Sequence, residues 1–252
     1  MADNPIAIYN MGYYYYTGTN GYPLNYNKAL ECFSRAAQAG ISDAMNYLGI
    51  IYEKGEIVAR DYITAVNWFY KAIQADEKNA HAAYNLGRMY YSGYGVEKNL
   101  PKAYEFCKAS VDIGIGNTHS SYPMSCYYTG CILLEYYKNK KEAYVYFYEA
   151  AKYGKIPGAW YNLGYLTEQG ILEAGAPASS KEGTAIAFYE RAAQLGYTPA
   201  MDAVGRLYAG ANMMNEAKKW LEKAASMGNE AAKKRLKLLN IAQSGSVFDL
   251  FK

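Results

Sequence analysis

A chain of 252 residues, 51% hydrophobic and 19% charged, can bury a substantial core, which excludes intrinsic disorder and collagen-like sequence. The formal net charge of +3 is spread along most of the chain, so composition points to neither a nucleic-acid nor a membrane partner. The cysteines Cys32, Cys107, Cys126 and Cys131 form no CxxC and repeat no pair spacing, the usage of buried free thiols rather than of disulfides or metal ligands.

In chain order, MADNPIAIYN shows neither the basic nor the apolar stretch of a targeting segment, and no apolar run reaches the ~18 residues of a spanning helix. Cytoplasmic residence is therefore the expectation. From Pro5 two kinds of segment alternate. The first kind starts on a small residue and reaches glycine five positions later: Ala7 and Gly12, Ala44 and Gly49, Ala82 and Gly87, Ser125 and Gly130, Ala159 and Gly164, Ala200 and Gly205. Its small residue, the apolar residue before glycine and the position three after it share one side of a helix, helix A. Glycine inside a helix costs about 1 kcal/mol relative to alanine, so its recurrence predicts a crossing too close for a methyl group.

The second kind is anchored on Ala29, Ala65, Ala103, Ala143, Ala185 and Ala217. Large residues follow three and four places on, as in Trp68–Phe69, Phe188–Tyr189 and Trp220–Leu221, and seven on the residue is small again. That is one stripe of a helix, helix B. Eleven residues after the alanine comes glycine at Gly40, Gly114, Gly154, Gly196 and Gly228, read as a left-handed cap, with Asp76 the exception.

These blocks predict an all-α chain of antiparallel helix pairs near 5–40, 41–76, 79–114, 121–154, 156–196 and 197–228, a capping helix over 229–243 and a tail over 244–252. A pair this short cannot bury its own apolar face, so neighbours must stack as one cooperative solenoid. The basic stretch AAKKRLKLL in the cap reads as a solvated face.

The third copy, AAYNLGRMYYSGYGVEKNLPKAYEFCKASVDIG, with its Leu-Gly, its Gly-x-Gly-Val loop at Gly93 to Val96 and its closing Lys-Ala and Gly, resembles the Sel-one-like repeat of the tetratricopeptide superfamily. The resemblance runs from about Pro5 to Gly228. It implies a right-handed α-α superhelix used as a protein-interaction adaptor rather than for a reaction. The fourth copy lacks the Gly-x-Gly loop, the fifth carries the extra ILEAGAPASSKEGT, and NTHSSYPMS lengthens the link between the third and fourth.

In tetratricopeptide-like stacks the free face of helix A lines a concave groove. The first copy's run divides accordingly: Ala7, Met11 and Tyr15 are assigned to the side packing on helix B, Tyr14 to a flank, and Tyr9, Tyr13 and Tyr16 to the free face. The same offsets give Asn46, Ile50 and Glu53, then His81, Tyr84, Arg88 and Tyr91. Further on they give Tyr127, Cys131 and Leu134, then Tyr161, Tyr165 and Glu168, and finally Asp202 and Arg206. Two residues before glycine sit Asn10, Asn85 and Asn162, at the position where the resemblance implies asparagines that hold a ligand's backbone. An amide donates and accepts, so it can pair with an extended peptide whatever its side chains. A contiguous tyrosine strip suits peptide capture, because tyrosine loses little rotamer entropy per contact. Charges on this face are mixed, Lys54, His81, Arg88 and Arg206 against Glu53, Glu168 and Asp202, and make no basic clamp for an acidic tail.

The tail SGSVFDLFK adds apolar Val247, Phe248, Leu250 and Phe251 after a flexible break, and tethering would let it dock in its own groove or in that of a second copy. Chemistry is not apparent. His81 and His119 lie on different elements, and the chain carries no HExxH, GxSxG, SxxK or phosphate-binding loop. The expectation is a protein-binding scaffold, with neither catalysis nor a cofactor or metal. A glycan-binding module, or an effector or inhibitor that caps a partner enzyme, is the alternative.

Overall fold

Asparagine and aspartate start many of these helices. Asn4 Oδ1 accepts from the Ile6 amide at 3.0 Å ahead of α1 (Pro5–Thr17), and Asn25 Oδ1 from the Lys28 amide at 3.1 Å ahead of α2 (Tyr26–Gln38). Asp61 caps α4 (Tyr62–Ala75), Asn99 α6 (Leu100–Gly114) and Asn139 α8 (Lys140–Tyr153) in the same way. Each of these caps contributes about 1 kcal/mol by satisfying an orphan amide. In the first four copies this cap stands four residues before the alanine of helix B, a column the glycine pattern does not reveal.

The computed structural model describes residues 4–114, 120–171 and 181–243. Among them the other helices are α3 (Ser42–Lys54), α5 (Ala80–Ser92), α7 (Tyr122–Glu135), α9 (Pro157–Glu168), α10 (Lys181–Gln194), α11 (Thr198–Gly210), α12 (Met214–Ser226) and α13 (Glu230–Gln243), and no strand occurs. The chain divides into two compact units, Met1–Tyr136 and Tyr137–Lys252. In the first, α1 pairs with α2, α3 with α4 and α5 with α6, while α2 packs on α3, α4 on α5 and α6 on α7. In the second, α9 pairs with α10 and α11 with α12, α8 packs on α9, α10 on α11, and α13 covers α12.

Close crossings sit at the helix-A glycines. A Cβ on Gly12 would lie 3.0 Å from Cys32 and Phe33, one on Gly164 2.8 Å from the Tyr189 ring, and one on Gly205 2.6 Å from Leu221. At Gly49 it would overlap the Phe69 ring, and at Gly87 the Cys107 thiol with the Cys107 amide 3.0 Å behind it. The residue four after the helix-B alanine is therefore the knob that fills each of these five glycine notches. Phe33, Phe69, Cys107, Tyr189 and Leu221 are all buried there.

Two assignments need correction. Gly40, Gly196 and Gly228 are left-handed caps, at φ 89°, 87° and 87°, but Gly154 is extended at φ −133° and Gly114 is the last helical residue of α6. What glycine provides at Gly114 is room, since a Cβ there would meet the Tyr122 ring at 2.8 Å. The second correction concerns α1. Its buried residues are Ile8 and Gly12, whereas Ala7 is exposed. The same position is fully buried in later copies, at Ala44, Ala82, Ala159 and Ala200, so what leaves Ala7 exposed is that no helix pair packs before α1 among the described residues, whereas Ile8, about 40° from Gly12, shares its crossing side.

The Gly-x-Gly loop is a helix-hairpin connection. Gly95 (φ 70°) presses against the Tyr62 backbone at the start of α4, too closely for any side chain, and Tyr94 stacks on the Tyr62 ring at 4.9 Å. Cys32, Cys107, Cys126 and Cys131 are free thiols, the first three buried.

Candidate functional site

The glycine notch also decides which way the tyrosines point. Tyr9 and Tyr16 lie about 60° and 40° from Gly12, so they share its side instead of opposing it. Both rings reach Phe33 of α2, at 6.0 and 6.2 Å, and both reach Tyr47 of α3, at 6.1 and 5.6 Å. Tyr13 is exposed at the rim, 5.9 Å from Tyr47. The free-face assignment of Tyr9 and Tyr16 is thus corrected. They bridge the first helix pair to the second, and Tyr9 still presents an edge to a hollow.

That hollow is a groove of about 440 Å³ in the first unit. Tyr9, Tyr13, Asn46, His81, Tyr84 and Asn85 line it, brought together from α1, α3 and α5. Ile50 lines it as well, and so do residues that the sequence reading missed: Asp43, Tyr47, Ser120, Ser121 and Met124. Tyr47 occupies, in the second copy, the column two before glycine where Asn10, Asn85 and Asn162 stand, so the column was visible and only its occupant was passed over.

The amides are less available than their column suggests. Asn85 is 6% exposed, and its Nδ2 donates to Asn46 Oδ1 at 2.8 Å. Its own Oδ1 accepts from Arg88 Nη2 at 3.3 Å. Arg88 makes a two-point ion pair with Glu53, 2.6 Å at its longer contact, and its guanidinium lies 5.8 Å from the Tyr84 ring centre. Asn46, Asn85, Arg88 and Glu53 form one chain of bonds from α3 to α5, so Asn85 braces the groove floor. One polar group, the exposed Asp43 carboxylate, remains for an occupant. Asp43 accepts from Asn79 Nδ2 at 3.0 Å and makes no ion pair among the described residues. Ser121, 6% exposed at the start of α7, has a hydroxyl without a partner among them.

Burial raises the Tyr47 and Tyr84 hydroxyls to about 12. Tyr9 is pushed upward too, by burial first and then by the Asp43 charge. The rings therefore stay neutral at physiological pH.

The other expected residues lie elsewhere. Asn10 is exposed. Tyr16 OH accepts from Lys54 Nζ at 3.0 Å, Tyr91 OH donates to Glu135 at 3.1 Å, and half-buried Tyr127 stands 5.8 Å from Tyr128. In the second unit Tyr161 packs 5.3 Å from Tyr189 and 5.4 Å from Tyr197, with Asn162 half-buried and Tyr165 40% exposed. There Glu168 accepts from Arg206 at 2.7 and 2.8 Å and from the Tyr189 hydroxyl at 2.7 Å, and Asp202 pairs with Arg235 at 3.0 Å. The charges that looked mixed in sequence are thus largely paired between neighbouring helices. Val247, Phe248, Leu250 and Phe251 lie outside the described residues. Among the described residues no three His, Cys, Asp or Glu side chains gather as metal ligands, and no helix is long and apolar enough to cross a membrane.

Helix pairs notched by glycine and stacked through a common register define an α-hairpin repeat protein of the tetratricopeptide kind. The Sel1 repeat family model matches residues 5–41, 42–77, 80–114, 158–197 and 204–229, and the chain belongs to the Sel1 repeat family. The fourth copy, whose loop is lost, falls outside those matches. Over 101 residues, 40% of this chain, it is 36% identical to "ERAD-associated E3 ubiquitin-protein ligase component HRD3B" of Arabidopsis thaliana, 15% of whose length is covered. The chain spans less than half the length of each of the curated relatives it matches here. Among solved structures it is similar to a Sel1 repeat protein from Oxalobacter formigenes, with TM-score 0.68, 24% identity and coverage of 88% of this chain and 85% of that one. It is also similar in fold to YrrB, described as a TPR protein with an unusual peptide-binding site, with TM-score 0.57, 18% identity and coverage of 82% and 99%. Sel1 and TPR repeats are generally protein–protein interaction scaffolds.

Proposed function

We propose that this protein is a non-enzymatic scaffold that holds an extended segment of a partner protein in the groove of its first unit. The observation that supports this is the convergence of Tyr9, Tyr13, Tyr47 and Tyr84 from three helices on one hollow whose polar floor is already braced. Such a site offers broad, rigid ring contacts, which favour a chain of side chains over a single small molecule. The family's general role, and the peptide-binding site in YrrB's description, agree with this reading.

Titrating the labelled full chain with a pool of unstructured peptides, and following its amide resonances, tests the proposal. Shifts should concentrate on Tyr13, Tyr47, His81 and Tyr84 and weaken in Tyr13→Ala, whose exposed ring can be removed without opening the core. Shifts located elsewhere, or larger shifts from a panel of oligosaccharides than from peptides, would overturn it.

A further inference from the structure

The groove is not electrically neutral. Its lining carries the Asp43 carboxylate, with His81 the other titratable side chain besides the tyrosines. Arg88, the nearest guanidinium behind Asn85, is already neutralised by Glu53 on two contacts. Asp43, exposed at the start of α3, has one oxygen on Asn79 and no cation on either among the described residues. Around it stand tyrosine rings, whose faces attract positive charge, and the Asp43 charge is felt at Tyr9 and Tyr47.

We propose that the segment taken by the groove carries a lysine or arginine side chain that enters among the tyrosines and pairs with Asp43. This rests on the peptide-scaffold reading above and specifies its ligand. Carboxylate and aromatic faces together favour a cation over a neutral side chain of equal length, whereas an acidic segment would meet Asp43 with like charge.

An array of immobilised peptides with arginine, lysine, citrulline, norleucine or glutamate fixed at the centre of otherwise varied sequences, probed with the full chain, tests this. Arginine and lysine spots should retain the protein about tenfold better than citrulline, norleucine or glutamate spots, a difference of about 1.4 kcal/mol. In Asp43→Asn, whose amide oxygen can still accept from Asn79, that preference should disappear while the thermal midpoint holds. Equal retention on cationic and neutral spots by the unmodified chain would overturn the cation assignment and leave the scaffold reading standing. Retention on no spot at all would remove both. The citrulline comparison needs no variant, so the test decides even if Asp43→Asn fails to fold.

Discussion

The two units use the same inter-repeat bolt and differ beneath it. Glu53 to Arg88 in the first and Glu168 to Arg206 in the second both run from four residues after one glycine to one residue after the next. Under Gly49 the knob is Phe69, with no polar tip, and among the described residues Glu53 binds Arg88 alone. Under Gly164 it is Tyr189, whose hydroxyl reaches through to Glu168, so the bolt is tied to the close crossing. The second unit also has Asp202 on Arg235 and Tyr161 on two other rings; the hollow lined by Arg206, Leu221, Arg235 and Leu239 is about 210 Å³, and another of about 540 Å³ lies along α13 between Ala225, Lys233, Leu236 and Ile241. One hydroxyl at a knob position thus distinguishes a bolt tied to its close crossing from one that stands alone.

The largest expected effect comes from filling a notch. Gly49→Ala should destabilise the chain by about 2–3 kcal/mol through overpacking against Phe69, and Gly12→Ala by less than half of that, because its neighbours stand at 3.0 Å. Equal denaturant midpoints for the two variants would break the idea that notch depth varies along the array. Next come the bolts. Arg88 and Glu53 side chains are 19% and 16% exposed, against 40% and 23% for Arg206 and Glu168, so Glu53→Ala should cost about 2–3 kcal/mol and Glu168→Ala about 1–2. Urea titrations giving the reverse order would show that the Tyr189 tie outweighs burial. Tyr189→Phe, which makes the second unit resemble the first, should remove about 1.5 kcal/mol, the contribution of a hydrogen bond to a charged acceptor.

Alkaline titration reads the rings of the groove directly. Tyr47 and Tyr84 are held near 12 in the fold, while unfolded tyrosines ionise near 10. Above pH 10 the unfolded chain therefore loses protons that the folded chain keeps. Stability present below pH 10 should fall as pH rises towards 12, by about 1.4 kcal/mol per pH unit for each such ring. Tyr47→Phe should flatten that slope by one ring's share. The smallest effect belongs to Lys98→Ala, whose exposed 3.5 Å pair with Glu135 should contribute under about 0.5 kcal/mol.

The helix pairs were legible because each depends on a local pattern: a glycine at a crossing, small residues seven apart, a large knob at four. The direction of the tyrosines was legible only in part. Glycine marks the buried side of helix A, so Tyr9 and Tyr16, within about 60° of Gly12, had to share it. Asn85 was recognised as a groove position, yet its partner Asn46 belongs to the preceding copy, and no pattern within one repeat reports a bond between two. Asp43 and Ser121 stand near helix starts, outside the glycine-centred frame, and became visible only once α3, α5 and the start of α7 were assembled.

The seat of Gly95 on Tyr62 bears on how such an array can be edited. Because the hairpin loop of the third copy rests on the helix start of the second, a cut between them strands the loop from its bed. Duplication or transplantation should therefore succeed when these two copies travel together and fail when either moves alone, which makes the pair, and not the single repeat, the portable module of this stretch of chain.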